Sequence, residues 1–283
     1  MTHKTTLLEV PFEGGMIRGT VTEPSPLLRR VSPFKGRADD EYKLRTLVCV
    51  HGFEWPASID QKFRVLTETL VPNGYRVVRF DYRGNGLSDG NFRDTRIATL
   101  VEDLSLVLDA VSPNAPVEIA SYSIGTSVAA LYWEKHSSRI SKILFFGAAF
   151  DHASISRYVT LKRMLGFMRF TLPSLAERVA WQYKKFAPVE TLLKKPFHKT
   201  KFSHEISSEF YRDLLELNTN SIIETIPQKQ KALIHGTRDE SSPRQNITAA
   251  FDHECPVKDG DHHLEQARFV EQWLPFVKGF LEV

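Results

Sequence analysis

Three side chains that together could perform acyl transfer occur in the order serine, acid, histidine, each just after an apolar stretch typical of a β-strand. They are Ser123, Asp239 and His262. A serine hydroxyl becomes nucleophilic when a histidine takes its proton, and an acid holds that histidine in the required tautomer. The carboxyl ends of parallel strands meet at one edge of a sheet, so these distant residues can come together there. The order and spacing predict catalysis through an acyl-enzyme.

The serine lies in Ser121-Tyr122-Ser123-Ile124-Gly125, between a predicted strand and a predicted helix. At such an elbow the serine backbone is strained, and the residues two positions away are small because strand and helix pass close together. Ser121 and Gly125 meet this requirement, although glycine is usual at the first of these positions. Ser121 is the alternative nucleophile, but a serine rather than a glycine follows two residues after it.

The acid and the base each have a neighbouring alternative. Asp239 would orient the histidine, and the adjacent Glu240 is the other candidate. The base is His262 or His263, which lie between the last predicted strand and the last predicted helix. We favour His262 because a Gly-Asp-His turn would place it at the tip of its loop.

A tetrahedral intermediate also requires two backbone N–H groups directed at its oxyanion. The natural donors are Phe53, in the segment His51-Gly52-Phe53 after a predicted strand, and Ile124, at the start of the helix that follows the serine. We interpret His51 as a structural residue that ties down its loop. The candidates for lining the substrate site are Trp55, Tyr122 and Phe150.

The surrounding pattern indicates an α/β domain. A predicted hairpin at 5–22 and an exposed loop at 23–43 precede strands that alternate with helices, which is typical of parallel βαβ units. Residues 150–226 then show helical segments, such as Leu175–Lys185 and Ile206–Leu217, and no strand signal. We predict a core of residues 1–149 and 227–283 and a helical lid at 150–226, inserted late in the sheet.

The segment 81–90 contains several glycines and charges but lacks the spacing of a phosphate-binding loop. We interpret it as a tight structural turn, with Arg83 paired to Asp81 or Asp89.

Composition restricts the remaining possibilities. The chain has 283 residues and a net charge of +3, which is too small to predict nucleic-acid binding by the whole molecule. Cys49 and Cys255 lie in predicted strands and read as buried thiols, as in a reducing compartment. The longest near-apolar run, 143–150, is shorter than the ~20 residues of a membrane span. We expect a cytoplasmic protein, and no cluster in the sequence has the spacing of metal ligands.

Five motifs carry a family resemblance: His51-Gly52-Phe53, Asp81-Tyr-Arg-Gly-Asn-Gly-Leu-Ser, Ser121-x-Ser123-x-Gly125, Gly236-x-x-Asp239 and Gly260-Asp261-His262. Together they resemble the α/β-hydrolase superfamily, in its serine-esterase and serine-aminopeptidase-like branch. The resemblance implies a mostly parallel, roughly eight-stranded sheet, no cofactor, no metal and the site roles given above. A weaker likeness, to the acyl-carrier-protein thioesterases of bacterial bioluminescence, rests on the small non-glycine residue two positions before the elbow serine and on the modest helical lid.

Hydrolysis of a carboxylic ester or thioester is the leading hypothesis for function. Dehalogenase and epoxide-hydrolase chemistry would need a carboxylate at the position of Ser123. Residues 157–201 hold eleven basic and two acidic side chains, a local charge of +9. This segment is either a solvated surface or a docking face for an acidic acyl carrier protein, which would make the enzyme a thioesterase or acyltransferase. A non-catalytic binding protein on the same scaffold is the alternative from another class.

Overall fold

An eight-stranded sheet forms the centre of the protein, which is described here by a computed structural model over residues 3–25, 44–156 and 193–283. The strand order is β1-β2-β4-β3-β5-β6-β9-β10. The strands are β1 (His3–Phe12), β2 (Gly15–Pro24), β3 (Arg45–Val50), β4 (Tyr75–Phe80), β5 (Val117–Tyr122), β6 (Ile140–Phe146), β9 (Lys231–Gly236) and β10 (Glu254–Val257). Strand β2 pairs antiparallel with β1 and β4, and all the other pairs are parallel. The predicted N-terminal hairpin and mostly parallel sheet are confirmed.

Helices cover both faces of this sheet. They are α1 (Gln61–Leu70), α2 (Ile97–Val111), α3 (Ile124–His136), α4 (Ser208–Glu216), α5 (Asn220–Thr225) and α6 (Ala267–Leu281). Alternate residues of β3 point to opposite faces, so Val48 joins the core beneath α2 and α3. Its neighbour Leu47 joins the core beneath α1 and α6. Every residue of β5 is buried, as expected for a central strand covered on both faces.

The insertion between β6 and β9 is described at residues 150–156 and 193–226. It contains an antiparallel pair, β7 (Phe197–Lys199) and β8 (Glu205–Ser207), followed by α4 and α5. The prediction that this region lacks strands is therefore wrong, because three-residue strands are too short to show an alternating pattern. The predicted helix at Ile206–Leu217 corresponds to α4. The predicted helix at Leu175–Lys185 falls outside the described residues, and the division into core and lid remains a prediction.

The glycine-rich turn at 81–90 is held by different ion pairs from those predicted. Asp81 is buried and accepts hydrogen bonds from the backbone N–H groups of Ser58 and Leu87, both at 3.0 Å. Arg83 instead binds Asp103 on α2, with 2.6 Å between Nε and Oδ1. Asp89 pairs with Arg18 on β2. The predicted pairing was wrong because Arg83 reaches a carboxylate on the neighbouring helix, which local sequence does not reveal. Within residues 3–25, 44–156 and 193–283, no helix is long and apolar enough to cross a membrane.

Candidate active site

Ser123 occupies the turn between β5 and α3 in a conformation that L-residues rarely adopt, with φ 54° and ψ −125°. Strand β3 and helix α3 approach so closely here that a Cβ at Gly125 would lie 2.5 Å from the carbonyl oxygens of Val50 and His51. This is the local crowding that the small residues of the elbow predicted. Ser123 keeps part of its surface exposed, so its hydroxyl is within reach of a substrate.

Ser121, at the position where glycine is usual, is fully buried on β5. Its hydroxyl donates to the carbonyl oxygen of Leu144 on β6 at 3.1 Å. The serine is accommodated because its one donor finds a backbone acceptor inside the sheet. The same burial separates this hydroxyl from any substrate.

The predicted acid, base and nucleophile lie in one hydrogen-bonded series. His262 Nε2 is 3.0 Å from Ser123 Oγ, and His262 Nδ1 is 2.7 Å from Asp239 Oδ2. The other carboxylate oxygen of Asp239 accepts the backbone N–H groups of Ser241 and Ser242 at 2.9 and 2.8 Å. Asp239 is therefore fixed on both sides, and its Oδ2 can hold the imidazole with Nε2 facing the serine. The alternative acid, Glu240, is exposed.

The neighbouring histidine has a different environment. His263 Nδ1 lies 3.1 Å from the hydroxyl of Tyr122, and its ring centre is 5.0 Å from that of Trp55. Burial, and then the nearby His262 and Lys62, lower the pKa of His263 below its ordinary value. A neutral His263 can accept the Tyr122 hydroxyl, which makes it a support for the residue next to Ser123.

Gly147, which the sequence analysis missed, creates the space for the catalytic candidate His262. It follows β6 with φ 49°, and a Cβ there would lie 3.0 Å from the His262 carbonyl oxygen and 3.2 Å from its Nδ1. Any larger residue would push the imidazole from its position between Asp239 and Ser123. A glycine directly after a buried strand was the only sequence signal for this contact.

The two predicted oxyanion donors flank the serine. Ile124 is the first residue of α3, where backbone N–H groups have no partner within the helix. Phe53 follows Gly52, whose Cβ position would lie 3.1 Å from Ser123 Cβ, so the segment after β3 runs beside the nucleophile candidate. His51 holds this segment: its Nε2 accepts the Tyr82 N–H at 3.0 Å, and its Nδ1 donates to the Gly52 carbonyl at 2.7 Å. Burial lowers the pKa of His51, in keeping with a neutral, structural imidazole.

A buried ion cluster, also missed from sequence, connects the loops of the site. Lys62 on α1 is fully buried, with Nζ 2.9 Å from Asp60 Oδ2 and 3.3 Å from Glu265 Oε1. The same ammonium lies 3.8 Å from the ring centre of Tyr122, the residue before Ser123. Glu265 Oε1 also accepts the indole N–H of Trp55 at 3.2 Å. One cation thus joins three segments of the site. They are residues 51–55 after β3, called the oxyanion loop here because they include the predicted donor Phe53, the elbow at 121–125, and the histidine loop at 258–266.

The three candidates for lining the substrate site have different surroundings. Trp55 is half-buried beside His263, with Phe202 of the insertion 6.4 Å away between ring centres. Tyr122 is buried, with its ring centre 5.1 Å from that of His262 and its hydroxyl 3.1 Å from His263 Nδ1. Phe150 is fully buried against Phe145 and Phe251, which is a core-packing position rather than a pocket wall.

A second serine–histidine pair lies behind the elbow, between Ser127 on α3 and His152. Ser127 Oγ is 3.1 Å from His152 Nε2, but it also donates to the Ala149 carbonyl at 2.6 Å. The third polar neighbour is the hydroxyl of Thr219 at 3.2 Å rather than a carboxylate. Ser127 is fully buried, and burial lowers the pKa of His152 to about 4. These features suit a structural network that fixes the start of the insertion.

Comparison with solved structures shows the same fold in several hydrolases. Est1E from Butyrivibrio proteoclasticus, solved with ferulic acid, is 15% identical with a TM-score of 0.67, over 97% of this chain and 98% of that one. Mouse alpha/beta hydrolase domain-containing protein 10 is 15% identical with a TM-score of 0.65, over 98% of both chains. The thioesterase domain from the curacin biosynthetic pathway is 13% identical with a TM-score of 0.57, over 99% of this chain and 100% of that one. At these identities the likeness concerns the fold.

No curated protein matches the sequence significantly. A family model described as "Serine aminopeptidase, S33" matches residues 43–264, which is more than half of the chain and includes both the elbow and the loop of His262. The chain therefore belongs to this serine aminopeptidase family of α/β hydrolases.

Proposed function

We propose that the protein is a serine hydrolase that cleaves a carboxylic ester or thioester through an acyl-enzyme. Ser123 Oγ attacks the substrate carbonyl carbon while His262 Nε2 accepts the serine proton. The carbonyl oxygen becomes an oxyanion, which the backbone N–H groups of Phe53 and Ile124 stabilise. Asp239 keeps Nδ1 of His262 protonated and stabilises the imidazolium that forms.

The second half of the reaction uses the same groups in reverse. As the tetrahedral intermediate collapses, His262 donates its proton to the departing alcohol or thiol, and the acyl group remains on Ser123. Water then enters, His262 takes one of its protons, and the resulting hydroxide attacks the acyl carbon. Expulsion of Ser123 Oγ, reprotonated by His262, releases the carboxylic acid and restores the enzyme.

One observation carries this proposal: the hydrogen-bonded series from Asp239 through His262 to a partly exposed Ser123 in a strained elbow. A screen of p-nitrophenyl esters and acyl thioesters of graded chain length tests it. Hydrolysis by the wild-type protein that disappears in Ser123→Ala supports the proposal. Equal hydrolysis by both proteins contradicts it.

An acyltransferase or thioesterase acting on an acidic acyl carrier protein is the second candidate. It is supported by the basic composition of residues 157–201, of which Lys194, Lys195, Lys199 and Lys201 lie among the described residues. Product analysis separates transfer from hydrolysis, because a transferase gives a new ester in the presence of an alcohol. A non-catalytic binding protein, the candidate from another class, would leave a fluorophosphonate probe unreacted.

A further inference from the structure

A basic cavity lies beside the described part of the insertion. Its volume is about 660 Å³, and it opens between the turn that precedes α2, strand β7 and the start of α4. Its walls carry five basic side chains, Arg93, Arg96, Lys194, Lys195 and Arg212, and two acidic ones, Asp94 and Glu209. The volume lies within the usual range of small-molecule sites.

Most of these basic side chains form no ion pair within the part of the chain that the structure describes. Arg96 is paired with Asp213 and Glu209. Among the described residues, no carboxylate lies within ion-pair distance of Arg93, Lys194, Lys195 or Arg212. Besides Glu209, the wall of the cavity contains one further acid, Asp94. The guanidinium of Arg93 lies 3.7 Å from the ring centre of Phe197 on β7, which holds it in the wall of the cavity.

The charge favours an anion that carries more than one negative charge. Together with Asp213, which binds Arg96, the five cations face three carboxylates and leave a local excess of +2, which a single carboxylate ligand would not balance. Arginine presents a planar fork that matches the oxygens of a phosphate, and lysine adds a point charge. A phosphate monoester or diester is therefore the ligand class that this wall fits.

The cavity is also close to the oxyanion loop. Arg93 follows Phe92, whose ring centre is 5.3 Å from that of Phe53. Arg212 lies two residues beyond Phe210, whose ring stacks on Phe53 at 5.1 Å. One layer of aromatic side chains thus separates the basic cavity from the residue proposed to donate to the oxyanion.

We propose that this cavity binds the phosphate of the substrate's thiol carrier, so that the substrate is an acyl thioester of a phosphopantetheine arm. The proposal rests on the proposed function and narrows it, because simple esters and pantetheine thioesters lack the phosphate. Coenzyme A and acyl carrier proteins both carry this arm. The phosphate is held in the basic cavity while the thioester carbonyl reaches Ser123 past the aromatic layer.

The test compares one acyl group on three carriers: pantetheine, phosphopantetheine and coenzyme A. We expect kcat/KM to be at least about tenfold higher for the phosphorylated carriers, chiefly through KM, because charge-assisted hydrogen bonds are lost without the phosphate. The double variant Lys195→Glu/Arg212→Glu should abolish this preference and leave hydrolysis of a p-nitrophenyl ester unchanged. The matched control, Lys229→Glu/Lys258→Glu, changes net charge equally at exposed positions outside the cavity and should keep the preference.

Each outcome separates the inference from the proposed function. Ester hydrolysis without any preference for the phosphorylated carriers overturns the inference and leaves the serine hydrolase intact. A double variant that loses activity equally on all substrates also overturns it, because the effect then does not depend on phosphate. If no ester or thioester is hydrolysed, the proposed function fails. Calorimetric titration with phosphopantetheine then tests whether the cavity binds the phosphate, independently of catalysis. Absence of binding, or equal binding to the double variant, contradicts the site.

A preference for the carrier protein over coenzyme A would identify the source of the phosphate. The same acyl group on an acyl carrier protein is compared with acyl coenzyme A at low salt. A higher kcat/KM for the protein-bound substrate indicates that the cavity binds the phosphate of an acyl carrier protein's arm. A higher value for acyl coenzyme A indicates that it binds the phosphate of coenzyme A. Both results support phosphate recognition.

Discussion

Replacement of His152 by glutamine should remove part of the acid sensitivity of folding and leave catalysis intact. His152 is buried against Ser127, and this burial lowers its pKa to about 4. In the unfolded chain a histidine titrates near 6.5. Between these two values the unfolded state binds a proton that the folded state excludes, so unfolding becomes more favourable as the pH falls.

The size of the effect follows from these two pKa values. Above about pH 6.5 the imidazole is neutral in both states, and its contribution to stability is fully present. Lowering the pH from 7 to 5 should decrease the free energy of unfolding by about 2 kcal/mol through His152 alone. The pKa values of His51 and His263 are also lowered in the folded protein, so these histidines act in the same direction and the wild-type protein should lose more stability in total.

Urea denaturation at pH 7 and pH 5 measures this change. His152→Gln should lose about 2 kcal/mol less than the wild-type protein over this interval, while any lost packing affects both pH values and cancels. His136→Gln, at an exposed histidine at the end of α3, is the matched control and should behave like the wild type. Equal acid sensitivity of the wild type and His152→Gln would refute the reasoning. Loss of ester hydrolysis in His152→Gln, with full activity in His262→Ala, would show that the wrong serine–histidine pair was chosen.

Further predictions concern the supports of the site. Lys62→Met should lower the free energy of unfolding by about 3–5 kcal/mol, because it leaves the buried carboxylate of Asp60 without its cation. The double variant Lys62→Met/Asp60→Asn should recover part of this loss. A Lys62→Met protein as stable as the wild type would contradict this prediction. His262→Ala should reduce kcat by at least ~10³-fold, and Ser123→Ala/His262→Ala should be hardly worse than either single variant. If His263→Ala abolishes hydrolysis and His262→Ala does not, His263 rather than His262 is the base. Ser121→Gly should lower the free energy of unfolding by about 1 kcal/mol, because the hydrogen bond to the Leu144 carbonyl is lost, and kcat should be unchanged. An inactive Ser121→Gly protein would indicate that Ser121 is the nucleophile. For an acyl-carrier-protein substrate, kcat/KM should fall steeply between about 0.01 and 0.5 M salt, while a neutral ester responds little; equal salt responses would leave the lysines as solvated surface.

The strands of the parallel sheet and their alternation with helices could be predicted because the signals are local. Buried strands such as β6 end in a continuous apolar run, Ile143–Phe146, and α2 repeats its apolar residues at helical spacing. The elbow at 121–125 could also be predicted from local sequence, because the crowding around Ser123 requires small residues at positions 121 and 125. The choice of His262 rested on a short turn sequence; its side chain lies between Asp239 and Ser123, and its role as the base remains a prediction.

The parts that sequence reasoning missed depend on contacts between distant segments. Lys62 looks like a surface residue of α1, and its burial becomes apparent only when Glu265 and Tyr122 pack around it. Arg83 pairs with Asp103 for the same reason, because the partner lies on a neighbouring helix. The β7–β8 pair is stabilised by tertiary contacts: the side chain of Glu54, in the oxyanion loop, accepts hydrogen bonds from Thr200 and from His204, the latter at 3.0 Å. Strands of three residues carry no pattern of their own.

The most direct test of the central claim is covalent labelling of the nucleophile with a fluorophosphonate probe. Ser121, Ser123 and Ser127 lie too close in sequence for peptide mapping alone, so each is also replaced by alanine. We predict that intact-mass spectrometry will show one added probe on the wild type, on Ser121→Ala and on Ser127→Ala, and none on Ser123→Ala. Labelling that persists in Ser123→Ala, or disappears in Ser127→Ala, would contradict the assignment of Ser123 as the nucleophile.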